Sequence, residues 1–432
     1  MPDMSVRQTI RKKISRYFEM LQSSGDPLKI GRRHKPDYWL LVLTIMLMLV
    51  GLIVIYSIGP ALAITYGVST NYFAYKQLIA VSLGLIGFLI ATRVPLIWWK
   101  NTYKLLVAFA ALTTLAAIVL PVNPNYPAHR WVRLGSFSFQ SVDVVTLAVI
   151  IWIAGFLAMK IKQGLIKNTR AVFVPLAVSL VILGVIIVGV QSDLGSMGVI
   201  VAIMSAMAYV AGMPLKRLII IFVIIMIGVV IAVVSSPYRL ARVQTYLHPH
   251  SNCQGSSYQA CQSLISVGSG GLVGLGLGKS VQAYGYVPEA SNDSIFAIFA
   301  EKFGFVGGVI LIGIFFMLFN HLKNVSERLE DDFLRLIVIG IFTWLSIQTL
   351  INIGSMLGLF PLKGITLPFI SYGGTSIVFS TAAVGLVFQI SRYTSLKPVE
   401  INNDTKKGKS NEDFGNRRRV RGAYHSNFGR RG

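Results

Sequence analysis

The amino-acid sequence predicts an all-α integral membrane protein with about ten transmembrane helices and a large extracytoplasmic loop between spans 7 and 8. Three observations support this fold class. Of the 432 residues, 54% are hydrophobic, the mean hydropathy is +0.64, and the apolar residues form runs of about 20. Soluble globular domains do not have this composition, so the soluble classes of enzyme and binding module are excluded.

Each apolar run is long enough to cross a hydrocarbon core of about 30 Å as a helix. The run 195–212 is short and rich in Ala, Gly and Met, so it is the least typical. The polar start, residues 1–36, is too long for a cleavable signal and ends at no small-residue site, so the first span is expected to remain as an anchor. The predicted spans are 38–58, 73–93, 102–121, 142–160, 171–190, 195–212, 216–235, 294–318, 335–357 and 373–391.

The basic residues predict the orientation of these spans. If both termini are cytoplasmic, 32 of the 40 Lys and Arg residues lie on the inner side, as the positive-inside rule requires. The net charge of +23 then reflects topology and attraction to anionic lipid. Six basic residues break the trend and fall in outer segments: Arg130, Arg133, Arg239, Arg242, Lys279 and Lys363.

Three regions are expected. Residues 1–36 form a basic cytoplasmic segment in which apolar residues at helical spacing over 5–22 predict an amphipathic helix on the inner membrane face. Residues 37–392 form the ten-span domain. Residues 393–432 form a basic cytoplasmic tail that is polar enough to be disordered. Its RRRVR cluster does not lead us to expect a nucleic-acid partner.

The acidic residues point to the functional site. Between Asp37 and Glu327 the chain contains five: Asp143, Asp193, Glu289, Asp293 and Glu301. An ionisable group at membrane depth is costly and by default marks a functional site. Asp293 is of particular interest because it lies where the long outer loop, about 236–293, meets the next apolar run.

The same loop contains a glycine-rich run and both cysteines. GSGGLVGLGLGKS (268–280) is not a phosphate loop, because Val273 stands where that pattern needs Gly. It predicts a close-packed, flexible backbone beside a substrate or membrane surface, or else a purely structural turn. Cys253 and Cys261 share a compartment that permits a disulfide, with two free thiols as the alternative. The cysteines and the nearby histidines do not have a zinc spacing, so no metal ligands are assigned.

Four outer segments resemble the SEDS family (shape, elongation, division and sporulation), the membrane glycosyltransferases that polymerise peptidoglycan. The resemblance covers residues 38–392. Within the family, KGITLPFISYGGTS is more similar to the division polymerases, FtsW, than to the elongation polymerases, RodA. The segments are AHRWVRLGSFSFQ (128–140), QSDLGS (191–196), the long loop ending in YVPEASNDSIFAIFAEKFGFVG (286–307), and QTLINIGSMLGLFPLKGITLPFISYGGTS (348–376).

The chain departs from the family pattern at several positions. Thr146 stands where the family usually has a lysine, and Ser291-Asn292-Asp293 replaces the usual His-Thr-Asp. Lys302 follows Glu301 where the family has a second Glu, and His248 replaces an Asp. The chain is therefore expected to be a divergent member.

The resemblance implies a substrate and a mechanism. The substrate is lipid II, a disaccharide-peptide on undecaprenyl pyrophosphate, and the reaction releases that pyrophosphate with inversion. Asp293 matches the family's essential aspartate and is expected to act as general base. A divalent metal could assist, although no ligand cluster in the sequence requires one. Expected substrate-binding residues are Arg130, Arg242 and Lys363, which would stabilise the pyrophosphate, and Trp131, Glu289, Gln191, Asp193 and Ser371.

Some of these residues also have structural interpretations. Asp193 could cap the following helix, Glu289 could orient the loop, and Trp131 could be an interfacial anchor. Glu301 is expected to bond to Gln348 or Asn352 inside the bundle. A structural or supporting role is expected for Glu301, Gln348, Asn352, Tyr372, Gly373 and Gly374.

The resemblance also implies a setting for this activity. The expected location is the bacterial plasma membrane at the division septum, with a class B penicillin-binding protein transpeptidase and other division proteins as partners. The alternatives are a lipid II flippase, a recruiting scaffold, another polyprenyl-linked sugar transferase, and a RodA-type elongation polymerase.

Overall fold

A computed structural model of the protein describes residues 34–119, 131–134, 137–248, 253–255, 257–362 and 364–394. The predicted amphipathic helix and the tail from residue 395 lie outside these ranges. The helices are α1 Tyr38–Tyr66, α2 Tyr72–Arg93, α3 Leu96–Asn101, α4 Tyr103–Val119, α5 Ser141–Lys162, α6 Thr169–Val190, α7 Leu194–Val210, α8 Leu215–Val234, α9 Pro237–Leu247, α10 Tyr258–Ser269, α11 Ile295–Glu327, α12 Asp332–Met356 and α13 Gly374–Ile390. Strands β1, Trp131–Leu134, and β2, Phe137–Gln140, form an antiparallel hairpin.

Helices stand at all ten predicted span positions. Within the described residues, α1, α2, α5, α6, α8, α11, α12 and α13 are long and apolar enough to cross a membrane. The remaining two, α4 and α7, are also apolar but have 17 residues each. The prediction of an all-α integral membrane protein is therefore confirmed, with eight full-length spans and two shorter apolar helices.

The interior of the bundle lies around α5, α12 and α13. Most residues in the apolar stretches of these three helices are buried inside the bundle. In α8 only 11% of the apolar stretch is buried, and side chains such as Phe222 and Ile224 are exposed. Small residues allow the inner helices to approach closely. A Cβ added at Gly385 of α13 would lie 2.8 Å from the carbonyl oxygen of Phe88 on α2.

Hydrogen bonds close one end of the bundle. Asp37 caps the start of α1 by accepting the N–H of Trp39, and its Oδ2 is 2.7 Å from Nδ1 of His321 on α11. The N–H of Asp37 donates to the hydroxyl of Ser391, just beyond α13. The ends of α1, α11 and α13 are thereby fixed together, and the opposite ends of α11 and α12 contain the candidate site.

The long loop between α8 and α11 is more ordered than the sequence suggested. It contains two short helices, α9 and α10, which were not predicted. Beyond the loop, α11 is broken at Gly304, where φ is 66° and ψ is −166°. The break separates a first segment, 295–303, from the longer remainder of the helix.

Candidate active site

A tight turn before α11 holds Asp293. Glu289 is in the left-handed region with φ of 51°, and its carbonyl accepts the N–H groups of Asn292 and Ser294 at 3.0 and 3.1 Å. Its carboxylate accepts from the side-chain amide of Asn292 at 2.6 Å. Glu289 therefore shapes the turn, as its structural interpretation proposed.

The backbone of Asp293 is tied to α12. The side-chain amide of Asn352, which is 2% exposed, donates to the carbonyl of Asp293 at 2.8 Å and to that of Ile365 at 2.7 Å. Asp293 is itself half-buried and stands two residues before the first residue of α11. Asp293 therefore stands just outside the N-terminal end of α11, with its main chain fixed to α12.

The segment 364–376 lies against the other side of the turn. The hydroxyl of Ser371 donates to the carbonyl of Asn292 at 2.7 Å, and the N–H of Tyr372 donates to the carbonyl of Ser291 at 2.8 Å. Gln348 of α12 donates to the carbonyl of Thr366 at 3.0 Å. These contacts make Asn352, Gln348 and Ser371 supports for the position of Asp293.

Tyr372, Gly373 and Gly374 lead into α13. Tyr372 packs edge-on against Phe73 with ring centroids 5.4 Å apart. Burial, followed by the neighbouring Tyr72, raises the pKa of Tyr372 from 10.0 to about 12, so the phenol stays neutral at physiological pH. Gly373 has extended backbone with φ of −177°, a conformation that any residue adopts.

A second polar cluster lies where α5, α7 and α13 begin. The side-chain amide of Gln191 donates to the hydroxyl of Ser141 at 2.9 Å. Asp193 caps α7 by accepting the N–H of Ser196 at 3.1 Å. The N–H of Gln140 donates to the hydroxyl of Thr375 at 3.2 Å, so this cluster borders the same 364–376 segment. Gln191 and Asp193 are thus buried structural groups whatever else they bind.

Glu301 has a different partner from the one predicted. Its carboxylate is 1% exposed and accepts from the hydroxyl of Ser280 at 2.5 Å and from the N–H groups of Val281 and Gln282 at 3.0 and 3.2 Å. Gln348 and Asn352 bond elsewhere, so the expected bond to either of them is wrong. The reason is that the glycine-rich run folds back and packs against α11. Helical spacing in the sequence does not reveal such a long-range contact.

The glycine-rich run packs its backbone directly against the break in α11. The N–H groups of Leu275 and Gly276 donate to the carbonyls of Glu301 and Lys302, at 2.9 and 3.0 Å. A Cβ on Gly274, whose φ is 82°, would lie 2.2 Å from the carbonyl oxygen of Lys302. The ammonium of Lys302 donates to the carbonyl of Leu277 at 3.0 Å. This is the close-packed backbone that the glycine content predicted, and Lys302 is a support that sequence reasoning missed.

Of the three cationic residues expected to bind the pyrophosphate, Arg242 lies within the part of the chain that the structure describes. It extends from α9, and its Nη1 donates to the carbonyl of Leu362 at 3.0 Å. It also lines a cavity of about 440 Å³ between α9, α10 and the end of α12. Arg130 and Lys363 lie outside the described residues, although the bond to Leu362 places Arg242 beside the residue preceding Lys363. The backbone of Trp131 pairs with Gln140 in the hairpin.

The disulfide expected in the long loop is present. Cys253 and Cys261 are bonded, with their Cα atoms 5.6 Å apart. The bridge connects the segment before α10 to that helix. Among the described residues, no three His, Cys, Asp or Glu side chains come together as a metal site.

Comparison with known proteins decides the family. A family model described as cell cycle protein, which covers FtsW, RodA and SpoVE, matches residues 38–396. The chain belongs to the FtsW/RodA/SpoVE family. This confirms the SEDS resemblance that the outer segments carried.

Curated relatives in the FtsW/RodA/SpoVE family align over nearly their whole length. Stage V sporulation protein E of Bacillus subtilis is 35% identical over 364 residues, covering 84% of this chain and 99% of that protein. The probable peptidoglycan glycosyltransferase FtsW of Coxiella burnetii is 34% identical over 364 residues, covering 83% and 96%. That of Saccharophagus degradans is 35% identical over 382 residues, covering 86% and 95%.

Solved structures share the FtsW/RodA/SpoVE fold. A chain from a peptidoglycan synthase complex superposes with a TM-score of 0.65 at 23% identity, covering 83% of this chain and 98% of that one. The rod shape determining protein RodA of Thermus thermophilus gives a TM-score of 0.58 at 22% identity, covering 83% and 97%.

Proposed function

We propose that this chain is a peptidoglycan glycosyltransferase that polymerises lipid II into glycan strands during cell division. The observation that carries the proposal is the support of Asp293. Its backbone is held by Asn352, the turn around it is closed by Glu289, and Ser371 ties the preceding residue to the 364–376 segment. The curated relatives named FtsW give the same activity as their name.

Asp293 acts as the general base in this proposal. Its carboxylate takes the proton from the 4-hydroxyl of the acceptor sugar as that oxygen attacks the anomeric carbon of the donor. The bond from that carbon to the pyrophosphate oxygen breaks, and the electron pair leaves with undecaprenyl pyrophosphate. A positioned base contributes about 10²–10⁴ in rate, and attack from the opposite face inverts the anomeric configuration.

The leaving pyrophosphate needs positive charge beside it. Among the described residues, Arg242 is our candidate for this charge. Its guanidinium donates to the carbonyl of Leu362, and the residue lines the cavity between α9, α10 and the end of α12. Arg130 and Lys363 are proposed to act with it, since each falls in an outer segment where the positive-inside rule disfavours a cation. Fixed cations aimed at developing charge lower the barrier without reorganisation. Trp131 is proposed to contact the sugar or the lipid of the substrate at the outer surface of the membrane.

The membrane orientation and partners are part of the proposal. The excess of basic residues in the inner segments supports cytoplasmic termini and a catalytic turn on the outer face. The FtsW names of the relatives support a septal location. A solved structure that shares the fold belongs to a complex coordinating polymerisation and crosslinking, which supports a class B penicillin-binding protein as the partner of this chain.

Reconstitution with lipid II tests the activity. Purified protein in liposomes that contain lipid II is expected to produce glycan polymer and release undecaprenyl pyrophosphate. Translocation of lipid II without polymer would indicate a flippase and contradict the proposal. An inert protein that still binds division proteins would indicate a scaffold, and it would contradict the proposal equally.

A further inference from the structure

The glycine-rich run completes the backbone hydrogen bonding of α11 on both sides of its break. Before the break, two helix carbonyls accept from the run, as described above. After it, the N–H groups of Phe305 and Val306, which an unbroken helix would pair with those same two carbonyls, donate to the carbonyls of Gly271 and Leu272 at 2.9 and 3.0 Å. Acyl chains cannot pair with backbone groups, so a break of this kind is tolerated at membrane depth only when other protein atoms supply the bonds.

Distance along α11 places this contact within the hydrocarbon core. At the far end of the helix, His321 is bonded to Asp37 and its ring stacks on the exposed Trp39. An exposed tryptophan at the start of a span is typical of the membrane boundary. From His321 to Phe305 the helix rises about 24 Å, which is less than the core thickness of about 30 Å. Any tilt of the helix shortens this distance across the membrane and places Phe305 deeper still.

α1 gives a second and independent measure of the depth. The hydroxyl of Ser57 donates to the carbonyl of Leu277 in the run at 3.3 Å. Ser57 lies about 27 Å along α1 from Trp39, again within about 30 Å. Two helices therefore place the run at the same level, just inside the edge of the core at the loop end of the bundle.

The side chains that the run presents at this level are apolar and uncovered by protein. Leu272 is 72% exposed and Val273 is 80% exposed. Phe305 and Val309, on the part of α11 that the run contacts and on the turn beyond it, are exposed as well. The tip of the run thus extends the apolar outer surface of a membrane-spanning helix, and at this depth such a surface meets lipid.

We propose that the tip of the glycine-rich run, residues 271–277, is a membrane anchor that inserts Leu272 and Val273 among the acyl chains of the leaflet at the loop end of the bundle. The composition of the run alone also allowed a neighbouring substrate or a purely structural turn. Its glycines let the backbone pack against α11, while the larger side chains face outward. The anchor would hold the long loop at a fixed height relative to the bilayer. This inference does not depend on the proposed activity, because it concerns contact with lipid.

A nitroxide spin label on the full chain in phosphatidylcholine–phosphatidylglycerol vesicles tests the proposal. The two cysteines of the chain are bonded to each other, so a third cysteine takes the label in unreduced protein. Collisions are measured with oxygen, which concentrates in hydrocarbon, and with a water-soluble nickel chelate. We expect oxygen collisions to exceed nickel collisions for Val273→Cys. They should do so too for Ile224→Cys, the lipid reference on the exposed face of α8. Leu272→Cys repeats the test at the neighbouring position.

Val281→Cys is the matched control. Val281 belongs to the same loop and is 57% exposed, but its N–H bonds to the carboxylate of Glu301, which lies about 30 Å along α11 from His321 and so at the edge of the core. Its label should collide more often with nickel than with oxygen. Melting temperatures equal to that of the wild-type protein establish that the labelled variants are folded.

Three results would overturn the proposal. Nickel collisions in excess at Val273 and Leu272 would place the tip in water. Exclusion of both reagents at these positions would show that protein covers the tip, either another segment or a second copy of the chain. A label at Val281 as rich in oxygen collisions as the label at Val273 would remove the difference in depth on which the anchor rests.

Discussion

The contact between the glycine-rich run and the break in α11 allows a graded test of backbone packing. Three glycines in the run meet different conditions. Gly278 has nothing within 4 Å of an added Cβ and no left-handed φ. Gly276 also has open space but a φ of 90°, and Gly274 combines a φ of 82° with a carbonyl oxygen 2.2 Å away. Alanine substitutions at the three positions therefore distinguish the energetic cost of a left-handed backbone from the cost of steric overlap.

The expected cost rises in that order. Gly278→Ala should be neutral or stabilising by up to about 1 kcal/mol, because it restricts the unfolded chain. Gly276→Ala should cost about 1–2 kcal/mol for the left-handed backbone. Gly274→Ala bears the same strain and also pushes the run away from α11. It thereby weakens the bonds from Leu275 and Gly276, at about 1 kcal/mol each, for a total of about 3–4 kcal/mol.

Thermal unfolding of the three purified variants measures the series, and lipid II polymerisation measures its functional effect. Gly274→Ala should also reduce activity, because the run positions Ser280, Val281 and Gln282 on the carboxylate of Glu301. Equal stability of the Gly274→Ala and Gly278→Ala proteins would refute the close packing.

Three further variants probe the site. Asn352→Ala removes both bonds from its amide, to Asp293 and Ile365, and leaves buried carbonyls unsatisfied. Polymerisation should fall about tenfold or more in inserted protein, and a wild-type single-turnover rate would contradict the support role. Arg242→Ala should lose about 10²–10³ in rate, corresponding to about 2–4 kcal/mol. Arg239, which bonds the carbonyls of Ala232 and Val188, provides the control, since Arg239→Ala should change stability while the folded fraction keeps its rate. Cys261→Ser should cost at most about 2–3 kcal/mol, and alkylation of both thiols in the unreduced wild-type protein would show that the bridge does not form.

The spans were predictable because their signal is local. Runs such as 38–58 and 335–357 contain enough apolar residues to identify a helix without knowledge of its neighbours. The short helices α9 and α10 escaped prediction because their composition is mixed and their stability comes from packing against the bundle. The hairpin around Val132 and Phe139 was missed for a related reason, since four-residue strands carry little periodic signal.

The site shows the same division between local and long-range information. Asp293 could be singled out because a carboxylate beside an apolar run is unusual at membrane depth. The partner of Glu301 could not be identified from the sequence. Ser280 lies 21 residues earlier in the chain, and it reaches Glu301 only because the glycine-rich run folds back against α11. The bond from Arg242 to Leu362 joins residues 120 apart, and no spacing rule reaches that distance. Asp143 was noted only as one of five acidic residues between Asp37 and Glu327, and its burial in the first turn of α5 became visible in three dimensions.

The central claim is that Asp293 is the base, and Asp293→Asn tests it most directly. The amide keeps the size and the backbone contacts of the turn, including the bond from Asn352 to the main-chain carbonyl, but it cannot accept the proton. Purified variant and wild-type protein are compared for polymerisation of lipid II at equal insertion and equal melting temperature. We expect polymer formation to be lost in Asp293→Asn and strongly reduced in Asp293→Glu, because an added methylene moves the carboxylate out of hydrogen-bond reach. Glycan strands made by Asp293→Asn at a near wild-type rate would contradict the account and make Glu289 the next residue to test.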